Sequence, residues 1–323
     1  MTEIIELPRE VTSVDAPGFY MVPHTTYHGP DFTPTPAISQ SLVKTILEKS
    51  PAHAWHESPA LNPEAERRAS RPLDLGTAVH SLVLGRGADI IEVPADSYRS
   101  KNAQELRDTA AAAGQCPLLT KDYELAVKIA DAVRATLRQI PDCEHAFDPD
   151  RGFSEVAAVW KEGDAWLKCQ MDYVTKHRAT VWDLKTSSAG AAPAGLGRLM
   201  VDRGYDIQGA MALRALAHLD PETRGRTKVR FVVVEVVPPF GLSVIELDNT
   251  AITMGTKRLE MGIRLMKQCL KSNTWPSYPA LIHRPEYPGW AENQFLAREI
   301  TEPDMHKASP NYQVLADNWQ RPA

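Results

Sequence analysis

Apolar positions Leu42, Val43, Ile46 and Leu47 repeat with helical spacing after Ser39, a residue suited to cap a helix, and the pattern stops at Pro51. A short helical turn over residues 52–55 is expected next. Residues 73–84 read as a largely buried helix in which Gly76 and Ala78 let another element approach closely. A strand is expected at 90–93, followed by helices over 101–113 and 121–139. In the second of these, Leu125, Ile129, Val133 and Leu137 recur every four residues and form one apolar stripe. The period then changes from helical to alternating. Residues 153–160, 166–175 and 179–186 are three β-rich runs, the first two joined by the turn Lys161-Glu162-Gly163-Asp164. A Gly- and Ala-rich loop at 189–197 leads into a helix over 204–218. Residues 229–237 are almost continuously apolar, as a central strand buried on both faces requires. Pro238-Pro239-Phe240-Gly241 turns the chain into a strand at 242–247, and a long helix over 250–271 ends near Trp275-Pro276-Ser277-Tyr278.

The flanks differ from this body. Pro17, Pro23, Pro30, Pro34 and Pro36 break up residues 1–37, which read as an extended arm lying on the fold. Residues 281–323, with scattered prolines and aromatics, read as a loosely ordered tail. The expected organisation is therefore an arm (1–37), one α/β domain (38–280) with a helical insertion at about 95–145, and the tail.

Composition narrows the function classes. The 323 residues carry 36 Lys plus Arg against 41 Asp plus Glu, a net charge of −5, so a global basic footprint for nucleic acid is absent. An enzyme that gathers acids at its centre and confines basic residues to one groove remains compatible with that balance. Cys116, Cys143, Cys169 and Cys269 lie far apart and form no CxxC pair, which argues against a zinc ribbon and for reduced buried thiols in a cytoplasmic protein. The start Met1-Thr2-Glu3-Ile4-Ile5-Glu6 has no signal-peptide character, and no apolar run of about 18 residues predicts a membrane span.

Chemistry concentrates in Gln170-Met171-Asp172-Tyr173-Val174 and Val181-Trp182-Asp183-Leu184-Lys185-Thr186. On an extended strand Asp183 and Lys185 point the same way, and an adjacent strand can bring Asp172 beside them. Two carboxylates and an amine in one space suit Mg²⁺ or Mn²⁺, with the ammonium orienting a water or offsetting phosphoryl charge. Taken alone, the Asp-x-Lys tripeptide reads by default as a surface ion pair, and a buried ion-pair cluster without a metal is costly to desolvate.

The order of the remaining residues adds a family resemblance. Gly76-Thr77-Ala78-Val79-His80, then Glu155, Asp172, Asp183-Leu184-Lys185 and Gln208, resembles the RecE-like (exonuclease VIII) group of PD-(D/E)XK nucleases, as do Ser50-Pro51-Ala52-His53-Ala54-Trp55 and Trp275-Pro276-Ser277-Tyr278. The likeness covers about residues 35–280. It implies an α-β-β-β-α-β core, restriction-endonuclease-like, with added helices. It implies direct metal binding by Asp172 and Asp183, a further ligand from His80 and the Leu184 carbonyl, and positioning or deprotonation of the attacking water by Lys185. Glu155 would face a second metal or its water, and Gln208 would contact substrate or water. Related enzymes often carry Tyr four residues after this Gln, where Ala212 stands here, which puts the detail of DNA-end contact in doubt.

The resemblance further implies a Mg²⁺-dependent exonuclease on linear double-stranded DNA ends, 5′ to 3′, leaving 3′ single strands for recombination. It brings a phage or prophage setting, a single-strand annealing partner and a ring-shaped homo-oligomer. The rivals are an inactive DNA-binding recombination scaffold, an endonuclease of the same superfamily and a hydrolase of small phosphate esters. An iron-sulfur nuclease needs a cysteine cluster that these four cysteines do not supply. For the DNA backbone, Arg67, Arg68 and Arg71 precede the His80 helix, and Lys257, Arg264, Lys267 and Lys271 share one face of the last long helix, a stripe that a solvated face explains as well. By itself, His80 reads first as a hydrogen-bonded core residue; the bland alternatives are a partner of a surface Lys for Glu155 and a helix-surface residue for Gln208.

Overall fold

A computed structural model describes residues 1–65 and 71–301, with the side chains of residues 71–73 and 299 excepted. The chain divides into two compact units, Met1–Ser277 and Tyr278–Ala323.

The first unit is built on a seven-stranded sheet in the order β1-β2-β5-β6-β7-β8-β9. Its strands are β1 (Ile4–Glu6), β2 (Gly18–Met21), β5 (Gly152–Glu162), β6 (Ala165–Thr175), β7 (Thr180–Ser187), β8 (Lys228–Glu235) and β9 (Leu242–Glu246). β5 and β6 form the antiparallel hairpin expected from Gly163, which turns at φ 62°. β7 and β8 run parallel over their full length. Phe231, Val232, Val233 and Val234 of β8 are fully buried, so this strand is covered on both faces as its unbroken apolar run requires. Each such side chain contributes about 1.5–3 kcal/mol relative to exposure.

Helices cover the two faces. On one lie α2 (Gln40–Glu48), α3 (Pro51–Glu57), α8 (Tyr205–Leu219) and α9 (Asn249–Ser272), whose apolar residues share a core with Val156, Met171, Val181 and Phe231. Ser39 and Ser50 cap α2 and α3 by accepting from Leu42 N and His53 N. On the other face, α4 (Arg71–Leu84) and α6 (Thr120–Leu137) pack on Tyr173, Trp182, Leu184, Val232 and Val234. The expected stripe on α6 faces inward, with Ile129, Val133 and Leu137 buried. A Cβ added at Gly76 would lie 3.2 Å from Thr186 Oγ1, so the glycine lets α4 approach β7. The order α4-β5-β6-β7-α8-β8 is the α-β-β-β-α-β sequence expected.

Several elements depart from the sequence reading. Residues 1–37 are not only an arm: β1 and β2 extend the sheet, α1 (His24–Tyr27) follows, and Tyr20, Val22, Tyr27 and Phe32 form a core of their own with Ala157, Val159 and Trp166. The insertion is not wholly helical. Between α5 (Lys101–Ala112) and α6, β4 (Cys116–Leu119) pairs parallel with β3 (Ile90–Val93) as a separate two-stranded sheet. α7 (Leu196–Arg203) begins at the end of the predicted loop and fills the stretch before the predicted helix. In the second unit, α10 (Gly289–Thr301) forms where a loosely ordered tail was expected, and 302–323 lie outside the described residues. Among the described residues, no helix is long and apolar enough to cross a membrane.

Candidate active site

The site lies where the regular sheet fails. The pairs Ser154↔Tyr173 and Val156↔Met171 bracket a rung on which Glu155 stands opposite Asp172, yet that rung is not part of the ladder. The pairs Val174↔Val181 and Tyr173↔Trp182 lead to the next rung, on which Asp172 stands opposite Asp183, and the β6–β7 ladder stops before it. Three carboxylates are thus aligned across three neighbouring strands at a break in their hydrogen bonding. Glu155 has φ 56°, a left-handed conformation in mid-strand that re-aims its side chain. The alternation of faces slips there: Phe153 and Val156, and likewise Met171 and Val174, pack on the same core despite their odd separation.

The break places hydrogen-bonding groups where the ladder would have used them. Leu184 N–H donates to Asp172 Oδ2 at 2.8 Å. His80, from α4, brings Nδ1 to 3.3 Å from the same oxygen. Lys185 Nζ lies 2.5 Å from Asp183 Oδ1, and Gln208 of α8 donates Nε2–H to Asp183 Oδ2. Asp183 Oδ1 is buried and, despite the nearby ammonium, has no partner with hydrogen-bond geometry.

Electrostatics follow from burial. Desolvation and the charges of Asp172 and Asp183 push the Glu155 carboxyl up to about 8. Asp183 is raised to about 6 by burial and by Asp172, against the pull of Lys185. Asp172 is raised by burial, offset in part by Lys185 and the Leu184 N–H. Burial and then Lys185 lower His80 to about 4, so its imidazole is neutral near neutral pH. Lys185 is raised: burial acts to lower it, but Asp183 and Asp172 outweigh that. Crowded buried carboxylates with one ammonium between them are short of positive charge.

That deficit tests whether a cation fits. His80, Glu155 and Asp172 each offer a ligand atom within 4.8 Å of the others, and Asp183, whose buried Oδ1 faces Lys185 Nζ, stands beside them. Carboxylate oxygens are the hard donors that suit Mg²⁺ or Mn²⁺, and the neutral imidazole adds a nitrogen donor beside them. The residues fit the group. Relative to the expected set, Glu155 lies within the tight ligand group, whereas Asp183 is engaged by Lys185 and Gln208 at its margin. The Leu184 N–H is taken up by Asp172.

Other expected residues fall elsewhere. Lys267 Nζ donates to Glu162 O at 3.0 Å, at the far end of β5, where Arg214 and Glu260 complete an ionic cluster; its ammonium is used there rather than at the site. Lys271 is exposed on the same helix, near its end. Arg67 and Arg68 lie outside the described residues, as does the side chain of Arg71, whose backbone opens α4.

The sequence reading missed Tyr205. Its ring stacks on Phe231 at 4.8 Å and lies 5.9 Å from Lys185 Nζ, on the same face of α8 as Gln208. Its place three residues before Gln208 was the available signal. Ala212 is buried and lines, with Asp183 and Gln208, a cavity of about 10 Å³, room for a water and not for an aromatic ring.

Comparison with known proteins adds a family. The model of a family described as "PDDEXK-like domain of unknown function (DUF3799)" matches residues 39–282. Among solved structures, a protein from Eubacterium rectale described as a "putative exonuclease" superposes with a TM-score of 0.52 at 15% identity, covering 78% of this chain and 90% of its own. At that identity the likeness shows the fold alone. The structure of SSO0001 covers 62% of this chain and 96% of its own at 16% identity, with a TM-score of 0.26. No curated protein matches.

Proposed function

The chain belongs to the PDDEXK-like family DUF3799, and from that premise we propose that it is a divalent-metal-dependent exodeoxyribonuclease acting on linear double-stranded DNA. The observation that carries this reading is the alignment of Glu155, Asp172 and Asp183 on neighbouring strands, with His80 and Lys185 turned toward them.

His80, Glu155 and Asp172 would hold the cation, with Asp183 at its edge. A bound Mg²⁺ or Mn²⁺ lowers the pKa of water and offsets charge on the phosphate in the transition state. The chain's own groups supply the rest. Lys185 stays protonated beside Asp183, so it acts as a cationic donor that orients the attacking water or the phosphate oxygen rather than as the base. Gln208 holds the Asp183 carboxylate in place through Oδ2, and the Leu184 N–H does the same for Asp172. Neutral His80 keeps a lone pair available for a metal.

Attack from the 5′ end, 3′ single-stranded products, a role in recombination, an annealing partner and a ring-shaped assembly are also part of the proposal, supported by the motif resemblance alone. The test is release of nucleotides from end-labelled linear duplex with Mg²⁺, with EDTA and with Lys185→Ala, comparing 5′ and 3′ labels and a closed circle. Metal-dependent loss from the 5′ end, absent in the variant and on the circle, is expected. Equal hydrolysis of the circle would make the protein an endonuclease, and binding without hydrolysis under any metal would make it a scaffold.

A further inference from the structure

A cleft of about 630 Å³ adjoins the site and has Glu155 in its wall. It runs between the amino-terminal segment, including Glu6 and Arg9, and the loop that leaves α4, including Arg86 and Asp89. Its size is in the range of ligand-binding clefts, and none of the candidate residues read from the sequence other than Glu155 lines it.

The loop is built to present Arg86. Gly85 and Gly87 flank it at φ 66° and 137°, conformations that side chains other than glycine's rarely adopt. The backbone on both sides is tied down: Ser154 Oγ donates to Leu84 O at 3.0 Å, and Ser81 Oγ donates to Ala88 O at 2.9 Å. Ser154 is the neighbour of Glu155, and Ser81 the neighbour of His80, so the loop is anchored to the same two elements that carry the site. The Arg86 side chain, by contrast, leaves the loop for the edge strand β1. Its Nη1 lies 2.9 Å from Glu6 Oε1, with 33% of the Arg86 side chain and 64% of the Glu6 side chain exposed. Arg86 is also close enough to Glu155 to act on its carboxyl.

An exposed pair of this kind adds little to stability and exchanges readily with solvent. Guanidinium groups match phosphate oxygens better than a single carboxylate does, because two parallel N–H groups can engage them. A carboxylate on the opposite lip would therefore act as a stand-in for phosphate.

We infer that this cleft is the track for one strand of the nucleic-acid substrate next to the reacting phosphate, and that Arg86 grips a backbone phosphate in it after leaving Glu6. The inference rests on the nuclease reading above and adds to it a substrate-binding residue and a competitor. Its signature is a pair of opposite effects. Removing Arg86 weakens binding, whereas removing the Glu6 charge frees Arg86 and strengthens it.

The experiment measures binding of linear duplex DNA in EDTA, where turnover is suppressed, over a series of salt concentrations, for the wild type, Arg86→Ala, Arg86→Lys and Glu6→Gln. Cleavage by each protein with Mg²⁺ is followed in parallel. Arg86→Ala is expected to weaken binding about tenfold, the loss of one charge-assisted contact, and to reduce the salt slope by about one. Arg86→Lys should recover part of the affinity and all of the salt slope, and Glu6→Gln should bind more tightly than wild type. Wild-type affinity and slope in both Arg86→Ala and Glu6→Gln would overturn the inference. So would parallel weakening in both with lowered melting temperatures, which would make the pair a structural tie. Either result with normal wild-type cleavage leaves the nuclease reading standing, whereas absence of wild-type cleavage with any divalent cation rejects that reading itself.

Discussion

Asp172 and Asp183 stand on the same rung of neighbouring strands without being ladder partners, and the Leu184 N–H that follows Asp183 donates to Asp172 Oδ2 at 2.8 Å. The side chain of one acid thus caps the strand that carries the other. This keeps two carboxylates close without strand pairing, and it costs stability unless a cation offsets their charge. Asp172→Asn should accordingly lower nucleolytic turnover by about 10²–10³, the scale of losing one charge-positioning group. The same change should raise the melting temperature of the metal-free protein and shrink the further rise on adding Mg²⁺. Calorimetric scans of both proteins with EDTA and with Mg²⁺ check this; an unchanged Mg²⁺ response would remove Asp172 from the ligand set.

Glu155 gives the metal-free protein a pH dependence. Its carboxyl is raised from 4.5 to about 8 by burial and by Asp172 and Asp183, so the folded state holds a proton that the unfolded chain has already released. Its contribution is fully present below about pH 4.5 and is lost as pH rises through about 8. Denaturant midpoints in EDTA should therefore fall across that window, and Glu155→Gln should flatten the fall. A flat wild-type profile would contradict the burial of this carboxyl.

Glu162 predicts the opposite slope at the other end of β5. Burial would raise its carboxyl, but hydrogen bonds from Arg214 at 2.5 and 2.8 Å and from Trp160 hold it at about 2. The stability it supplies is present above the ordinary value of 4.5 and is lost as pH falls toward about 2. Urea midpoints should drop through that interval in the wild type and less in Glu162→Gln. Lys267→Ala, which removes another tie to Glu162, should lower stability while leaving the salt dependence of DNA binding unaltered.

Gly76 controls the distance between α4 and β7. A Cβ there already meets Thr186 Oγ1 at 3.2 Å, so the larger side chain of Gly76→Val is expected to shift the helix outward, and His80 with it. The expected cost is about 1–3 kcal/mol of stability. Turnover should fall further than stability explains, measured at a temperature where the variant is fully folded. Retention of wild-type turnover would show that His80 tolerates displacement.

Tyr205 supports Lys185 through its ring. Tyr205→Phe, which keeps the stack on Phe231 and the ring face toward the ammonium, should be close to wild type in turnover. Tyr205→Leu should lose turnover with little change in KM. Equal loss in both would assign the effect to the hydroxyl instead.

The local order of elements was legible because each depends on neighbours in the chain. The cap at Ser39, the stripe on α6 and the apolar run of β8 are written in spacings of a few residues, and all appear where the pattern put them. Asp183 and Lys185 were visible for the same reason, since a strand's alternation turns them to one face. The motif order also placed Glu155, His80 and Gln208 on the right elements. What no spacing contains is pairing between distant segments. β1 and β2 are too short to read as strands by themselves, and only pairing makes them so, β1 with β2 and β2 with β5. β4, with Pro117 in its middle, exists through β3. Lys267 shares a helical stripe with Lys271, but Glu162, 105 residues away, takes up its charge. The slip at Glu155 and the gap between Asp172 and Asp183 are likewise properties of three strands at once. Sequence determined the helices and strands and which residues share their faces, because helix and strand periods are local. Tertiary structure alone decided how their charges meet, because register, burial and the break in the ladder are set between segments far apart in the chain.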